Sequence, residues 1–269
     1  MGEELFGLLE LAKHAASLAA AVHQDAIEKG DFQLQTKASA ADLVTEIDCE
    51  AEQKLVAVIR LARPNDEIIG EEGTHFSGTT RVRWFLDPLD GTTNFVHRYP
   101  AHSVAVGVEI DGCRTIGVVH DTFSHRVYSG VVGYGATCNG EPLTVRKESE
   151  LLHALVGTGF LPIADVRRLQ ADLLREILPR VRDIRRSGCP SLDICGVAAG
   201  RLDAFYECGL GQWDITAAAA IAEAAGATVL LLHSDVLPDP LLVVANAELA
   251  TALASALAAA GVTQATKPT

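Results

Sequence analysis

The hydrophobic pattern of this chain changes period along its length, and that change limits the architectures open to it. Near the N-terminus, Leu5, Leu8, Leu9, Ala12, Ala16 and Ala19 recur at helical spacing. Ile47, Ala51, Leu55, Val58 and Ile59 do so again before Pro64, predicting a second helix from about Thr45. Short strands are expected at Ile68-Ile69 and at 81–86. From Val104 the period falls to two: segments 104–110, 115–120 and 126–131 read as antiparallel strands, with Asp111-Gly112 as a tight hairpin turn. Further on, strands at 154–159, 203–208, 227–232 and 241–245 alternate with helices near 165–179, 191–200, 214–225 and 247–260. The order predicts layered helices and sheets, not a bundle or a sandwich. The reading is one domain, 1–269, with two lobes, 1–146 and 147–269, and a hinge near 146–152.

Charge narrows the function. Acidic residues number 35 against 22 basic ones, for a net charge of −13. Such a chain repels phosphates and makes a poor general nucleic-acid binder. An anionic substrate would need a local reversal of the field. No apolar run reaches the roughly 18–20 residues of a membrane span, and the acidic start lacks the basic region of a signal peptide. A cytoplasmic protein with no membrane partner is expected. Cys49, Cys113, Cys138, Cys189, Cys195 and Cys208 form no CxxC pair and are expected to be reduced, small buried hydrophobes.

Four acidic segments carry the candidate chemistry. In WFLDPLDGTTNF, residues 84–95, Asp87 and Asp90 follow an apolar triplet at a strand's end. Pro88 removes one N–H and biases Asp87 towards extended backbone. Both carboxylates can then face one point, with the Leu89 carbonyl beside them and N–H groups from Gly91 and Thr92. Hard oxygens of this kind suit Mg²⁺, although Asp and Asp-Gly are also ordinary turn residues. Glu71 in GEEG, taken alone, reads first as a solvated loop acid and second as a ligand. Asp214, before an alanine-rich helix, reads as a ligand or an N-cap. Asp48 in DLVTEID reads as chemistry or as helix capping with Thr45. His97 and His102 are read as surface or hydrogen-bonded residues.

Together and in order, DLVTEID, GEEG, WFLDPLDGTTNF and QWDITAAAA resemble the inositol monophosphatase family of Mg²⁺-dependent, lithium-sensitive phosphatases. Glu207, seven residues before Asp214, and the RRSG segment at 185–188 extend the resemblance over nearly the whole chain. It implies an α+β fold, a layered α-β-α-β-α sandwich, usually dimeric. It implies Glu71, Asp87 and the Leu89 carbonyl at a first Mg²⁺, then Asp87, Asp90 and Asp214 at a second. A weaker third ion would sit near Glu71, giving two or three in all. Asp48 and Thr92 would form a dyad beside the nucleophilic water, with Lys37 near the site. Gly91, Thr92 and Thr93 would receive the phosphate, Glu207 the substrate hydroxyls, and Arg185 would shape that pocket or a dimer contact beside it.

The implied activity is hydrolysis of inositol-1-phosphate, a small phosphate monoester. Thr93-Asn94 after the DGT follows the inositol type, where histidinol-phosphate relatives tend to carry a basic residue. Histidinol-phosphate phosphatase and fructose 1,6-bisphosphatase are the enzyme alternatives. A regulator of the transcription machinery is the non-enzyme alternative, and a metal-dependent nuclease is disfavoured by the acidic surface. Two departures from the family pattern stand out. Pro190 occupies a position usually small, and Glu223 comes one residue early, with Ala224 at the usual Glu position. Both bear on substrate fit or subunit contact, not on the proposed ligands.

Overall fold

The computed structural model describes residues 2–30, 34–36, 43–234 and 237–261, with the backbone alone at 34–36 and 43–45. The chain opens with α1 (Gly2–Lys29), the antiparallel pair β1 (Leu34–Thr36) and β2 (Leu43–Thr45), and α2 (Glu46–Ala62). A mixed sheet follows: β3 (Glu67–Gly70), β4 (His75–Phe76) and β5 (Val82–Asp90). After the short helix α3 (Thr92–Val96) it continues with β6 (Ser103–Ile110), β7 (Cys113–Asp121), β8 (Arg126–Val131), β9 (Gly135–Cys138) and β10 (Glu141–Pro142). The spatial order is β10-β9-β8-β7-β6-β5-β3-β4. Among the described residues of this sheet, only β3 and β5 pair in parallel. At the expected hairpin, Asp111 and Gly112 both have positive φ, 53° and 75°, which matches the strands' twist.

The second half adds β11 (Leu155–Thr158), α4 (Ala164–Ile177), β12 (Asp183–Arg185), α5 (Pro190–Ala198), β13 (Ala204–Cys208), α6 (Gln212–Ala224), β14 (Thr228–Leu232), β15 (Leu241–Ala245) and α7 (Ala247–Ala259). Its five strands order as β12-β11-β13-β15-β14. The irregular stretch between the two sheets is tied down by Asn246, whose Nδ2 donates to the Arg146 and Glu148 carbonyls at 2.9 and 2.6 Å.

Three buried clusters define the layers. Leu8, Ala12, Leu55 and Ile59 of α1 and α2 pack on Trp84, Val106 and Val118 of the large sheet. Ile194 of α5 and Ala218 and Ile221 of α6 lie between Val119 and Tyr128 of that sheet and Phe205 and Val244 of the smaller one. Residues of α4 and α7, such as Leu173 and Leu253, cover the outer face. The result is the α-β-α-β-α sandwich. Every residue of α6 from Ile215 to Ala222 is buried, as a helix apolar on all sides requires. Close approach is possible because two paired strands carry facing glycines, Gly107 and Gly117. A Cβ at Gly117 would lie 1.9 Å from the Ala217 carbonyl oxygen.

Two expectations change. By length and composition α1 could cross a membrane, since an 18-residue window within it has a mean hydropathy of 1.4. Its buried face is the core face just described, so the apolar residues serve packing. The cysteines are split: Cys189, Cys195 and Cys208 are buried, but Cys49 and Cys113 are exposed. All six are free thiols.

Candidate active site

The site begins with an irregularity in β5. Asp87 pairs with Ala105 of β6, and Asp90 with Ser103, so three steps on one strand match two on the other. In an unbroken strand, residues three apart face opposite sides. The extra residue of a bulge restores a common face and re-aims the side chains. Pro88, which has no N–H for the ladder, sits within the bulge. Asp87 Oδ1 accepts the Leu89 N–H at 3.0 Å, fixing the turn.

Glu71 arrives by a different route. Since β3 and β5 are parallel, with Gly70 opposite Leu86, both strands deliver their C-terminal residues to one edge. The Glu71 N–H then donates to the Leu86 carbonyl at 3.0 Å. Asp87 is fully buried. Burial first, and then the charges of Glu71, Asp90 and Asp214, hold its carboxyl well above the usual range. Its Oδ2 accepts no N–H or O–H bond, and the side chain it faces is another carboxylate, Glu71.

Asp90 joins the halves of the molecule. Its Oδ2 accepts the Ser191 N–H at 2.8 Å, the Ser191 hydroxyl at 2.5 Å and the Cys189 thiol at 3.0 Å, all from the start of α5. Burial raises its pKa, while these donors pull it back. Pro190 fits the first turn of α5, where a missing N–H costs nothing. Asp214 is not the N-cap of α6. It stands at the third helical position and accepts the Gly211 N–H at 2.6 Å through Oδ2. Capping and ligation are therefore compatible at Asp214, as each carboxylate has two oxygens.

Asp48 is buried in the first turn of α2. Thr92 Oγ1 lies 3.1 Å from Asp48 Oδ1 and 3.0 Å from the Leu89 carbonyl oxygen, so one hydroxyl proton serves two acceptors. Gly91 precedes α3 with φ 90° and ψ 33°. Its missing Cβ would lie 2.8 Å from the Ala101 carbonyl oxygen. Beside this turn lies a cavity of about 220 Å³, lined on one side by Glu71, Asp90, Gly91, Thr92 and Thr93, and on the other by Phe160, Pro162, Arg167, Arg186 and Gly188. Glu207 of β13 is buried and does not line this cavity. Burial, then Asp90 and Asp214, raise its pKa well above the usual range against an opposing pull from Arg186. Gly159 makes room for that carboxylate, since a Cβ there would come within 2.1 Å of Oε2.

Not every expected residue is in this group. Arg185 is exposed and donates to Asp183 Oδ2 at 2.6 Å and to the Ile184 carbonyl; the arginines on the cavity wall are Arg186 and Arg167. Asn94 is a brace, not a cavity residue: its Nδ2 donates to the Ala101 and Ser187 carbonyls at 2.7 and 2.9 Å. Glu223 forms a two-pronged ion pair with Arg114, both contacts at 3.1 Å. His102 is buried, 2.6 Å from Thr122 Oγ1, and His97 is exposed. Lys37 lies outside the described residues. Sequence reasoning missed Glu52, which accepts backbone N–H groups of the Glu71 loop. Its signal was a second acid at i+4 from Asp48, beside the apolar stripe of α2.

The donor set fits a hard divalent cation: oxygen ligands alone, one of them a buried carboxylate oxygen without a donor. Among the described residues, no three such side chains are drawn closely enough to clasp an ion.

Comparison with known proteins places this layered sandwich, with its gathered acids and Thr–Asp pair, among the phosphatases. The inositol monophosphatase family model matches residues 5–262, and the chain belongs to that family. It is 44% identical over 211 residues to the inositol-1-monophosphatase SuhB of Mycobacterium tuberculosis, covering 75% of this chain and 73% of the relative. It is 38% identical over 229 residues to the Nus factor SuhB of Pseudomonas aeruginosa, covering 82% and 84%. The crystal structure of the extragenic suppressor protein suhB from Bartonella henselae superposes with a TM-score of 0.85 at 28% identity, covering 93% of this chain and 98% of that one.

Proposed function

We propose that this protein is a Mg²⁺-dependent phosphomonoesterase that hydrolyses inositol-1-phosphate to inositol and phosphate. The observation that carries the reading is the β5 bulge, which turns Asp87 and Asp90 to one face and leaves Asp87 Oδ2 buried without a donor. Glu71, Asp87 and the Leu89 carbonyl would hold one ion, Asp87, Asp90 and Asp214 a second, and the surroundings of Glu71 a weaker third. When bound, the ions neutralise charge on the phosphate oxygens and acidify water. The chain's own residues do the rest. Thr92 and Asp48 orient the attacking water and take its proton. N–H groups of Gly91, Thr92 and Thr93 donate to the phosphate oxygens. Glu207 accepts hydrogen bonds from ring hydroxyls and so favours a polyol. Arg186 and Arg167 draw the anion across an otherwise acidic surface. In keeping with the family, the protein is read as a cytoplasmic homodimer, with Arg185 nearer the subunit contact than the cavity.

The test is phosphate release from inositol-1-phosphate with Mg²⁺, alongside histidinol phosphate and fructose 1,6-bisphosphate. The highest kcat/KM is expected on inositol-1-phosphate, abolished by chelation. A preference for either other ester would retain the phosphatase but overturn the roles given to Glu207 and Thr93. A second reading is a regulatory partner of the transcription machinery, and one relative carries the name Nus factor. Asp90→Asn separates the two, because a regulator keeps its cellular effect without turnover and an enzyme does not.

A further inference from the structure

The loop that carries Glu71 is gripped by a carboxylate to which none of the roles above assigns a purpose. Glu52 Oε2 accepts the Glu72 N–H at 2.9 Å, and Oε1 accepts the Thr74 N–H at 3.2 Å. The side chain is 4% exposed. Gly70 makes room for it, since a Cβ there would lie 2.3 Å from Oε2 and 2.6 Å from the carboxyl carbon. The Gly70 N–H closes the loop on the Thr74 carbonyl at 2.8 Å, and the Glu71 N–H ties it to β5. The backbone of Glu71 is thus fixed on one side by β5 and on the other, through Glu72, by α2.

The same helix turn fixes the Thr–Asp pair. Asp48 and Glu52 are four residues apart, about 6 Å along the axis and on one face. Asp48 is bonded to Thr92, and Glu52 to the loop. Burying a carboxylate is costly. Glu72 and Thr74 are only half-buried, so water could have satisfied their N–H groups. A buried carboxyl group committed to such a loop is better explained by placement than by stability.

We propose that Glu52 is a positioning residue that sets Glu71 for divalent-cation binding and holds it in register with Asp48 and Thr92. The inference rests on the metal-dependent reading given above. The test uses Glu52→Gln, which keeps the shape but places an NH₂ against one of the two N–H donors. Metal-free protein is titrated with Mg²⁺ by calorimetry, and Mg²⁺ activation of phosphate release is measured in parallel. Loss of an outer partner of a metal ligand typically weakens affinity roughly 10- to 100-fold. A weakening in that range is expected, with kcat recovered within a few-fold at saturating Mg²⁺. Gly70→Ala, which displaces the Glu52 head without removing its charge, is expected to weaken Mg²⁺ binding in the same direction. Wild-type Mg²⁺ affinity in Glu52→Gln, with only a lowered Tm, would reduce Glu52 to a brace and overturn the inference alone. So would weakening confined to Glu52→Gln with Gly70→Ala unchanged, since charge and not position would then be at work. A wild type that binds no Mg²⁺ overturns both this inference and the function it rests on.

Discussion

Asp90 spends its two oxygens differently. Oδ2 collects three donors from the start of α5, so the side chain is locked before any ligand arrives. Asp90→Asn should keep the fold but lose the charge. A fall in kcat of roughly 10²–10³-fold is expected, as when one preorganised electrostatic group is removed, with little change in Tm; phosphate release and thermal melting check both. Near-normal turnover would remove Asp90 from the metal site. The arginines show the limit of reading residues singly. RRSG flagged the neighbourhood, but sequence offered no way to choose between Arg185 and Arg186. The choice follows from where β12 ends: Arg185 is its last residue and bonds along the strand, while Arg186 turns into the cavity wall. Arg186→Gln is expected to raise KM about tenfold, the worth of one charge-assisted hydrogen bond, with kcat largely kept. Arg185→Gln should move neither, and steady-state kinetics on both variants tests the assignment.

Among the elements, legibility followed locality. The long helices, the Asp111-Gly112 hairpin and the long strands β6, β7 and β8 were legible because their patterns repeat over many residues, whereas β9 was hidden among the turn glycines Gly133, Gly135 and Gly140. The bulge was not legible, because register belongs to a pair of strands and only β6 reveals the extra residue in β5. The parallel pairing of β3 with β5, which brings Glu71 to Asp87, was hidden for the same reason. The two-residue strands β4 and β10 and the five-residue α3 are too short to show a period. Glu52 was passed over because an acid in a helix ordinarily reads as solvated. Alanines in α6 were read as helical, but not as the price of lying between two sheets. That packing carries its own prediction. Gly117→Ala places a methyl against a backbone oxygen, which no rotamer change can relieve. A loss of about 1–3 kcal/mol is expected, the usual cost of overpacking a core. Chemical denaturation should show it as a lower midpoint at unchanged slope.

At the scale of the whole molecule, buried titratable groups pull stability in opposite directions with pH. His23 of α1 lies fully buried beneath the large sheet's active edge, its Nδ1 3.3 Å from Thr122 Oγ1. Burial, helped by the charges of His102 and His120 and opposed by the Pro88 carbonyl, pushes its pKa down to about 3. The unfolded chain therefore takes up a proton near pH 6.5 that the native state refuses until about pH 3. The unfolded state binds more protons throughout that window, so stability is full above it and falls as pH falls, by up to about 1.4 kcal/mol per pH unit. Asp193, raised to about 7 chiefly by burial, has the opposite sign, because its native form holds a proton that the unfolded chain releases. The wild-type profile is a sum of both, and only a difference isolates the histidine. Between pH 5 and 6.5, where ordinary carboxylates contribute little, His23→Gln is expected to lose less stability than the wild type as pH falls. Urea midpoints measured across that window on metal-free protein give the comparison. Parallel profiles for the two proteins would mean that His23 takes up its proton in the folded state, and that the pocket under Pro88 admits a charge.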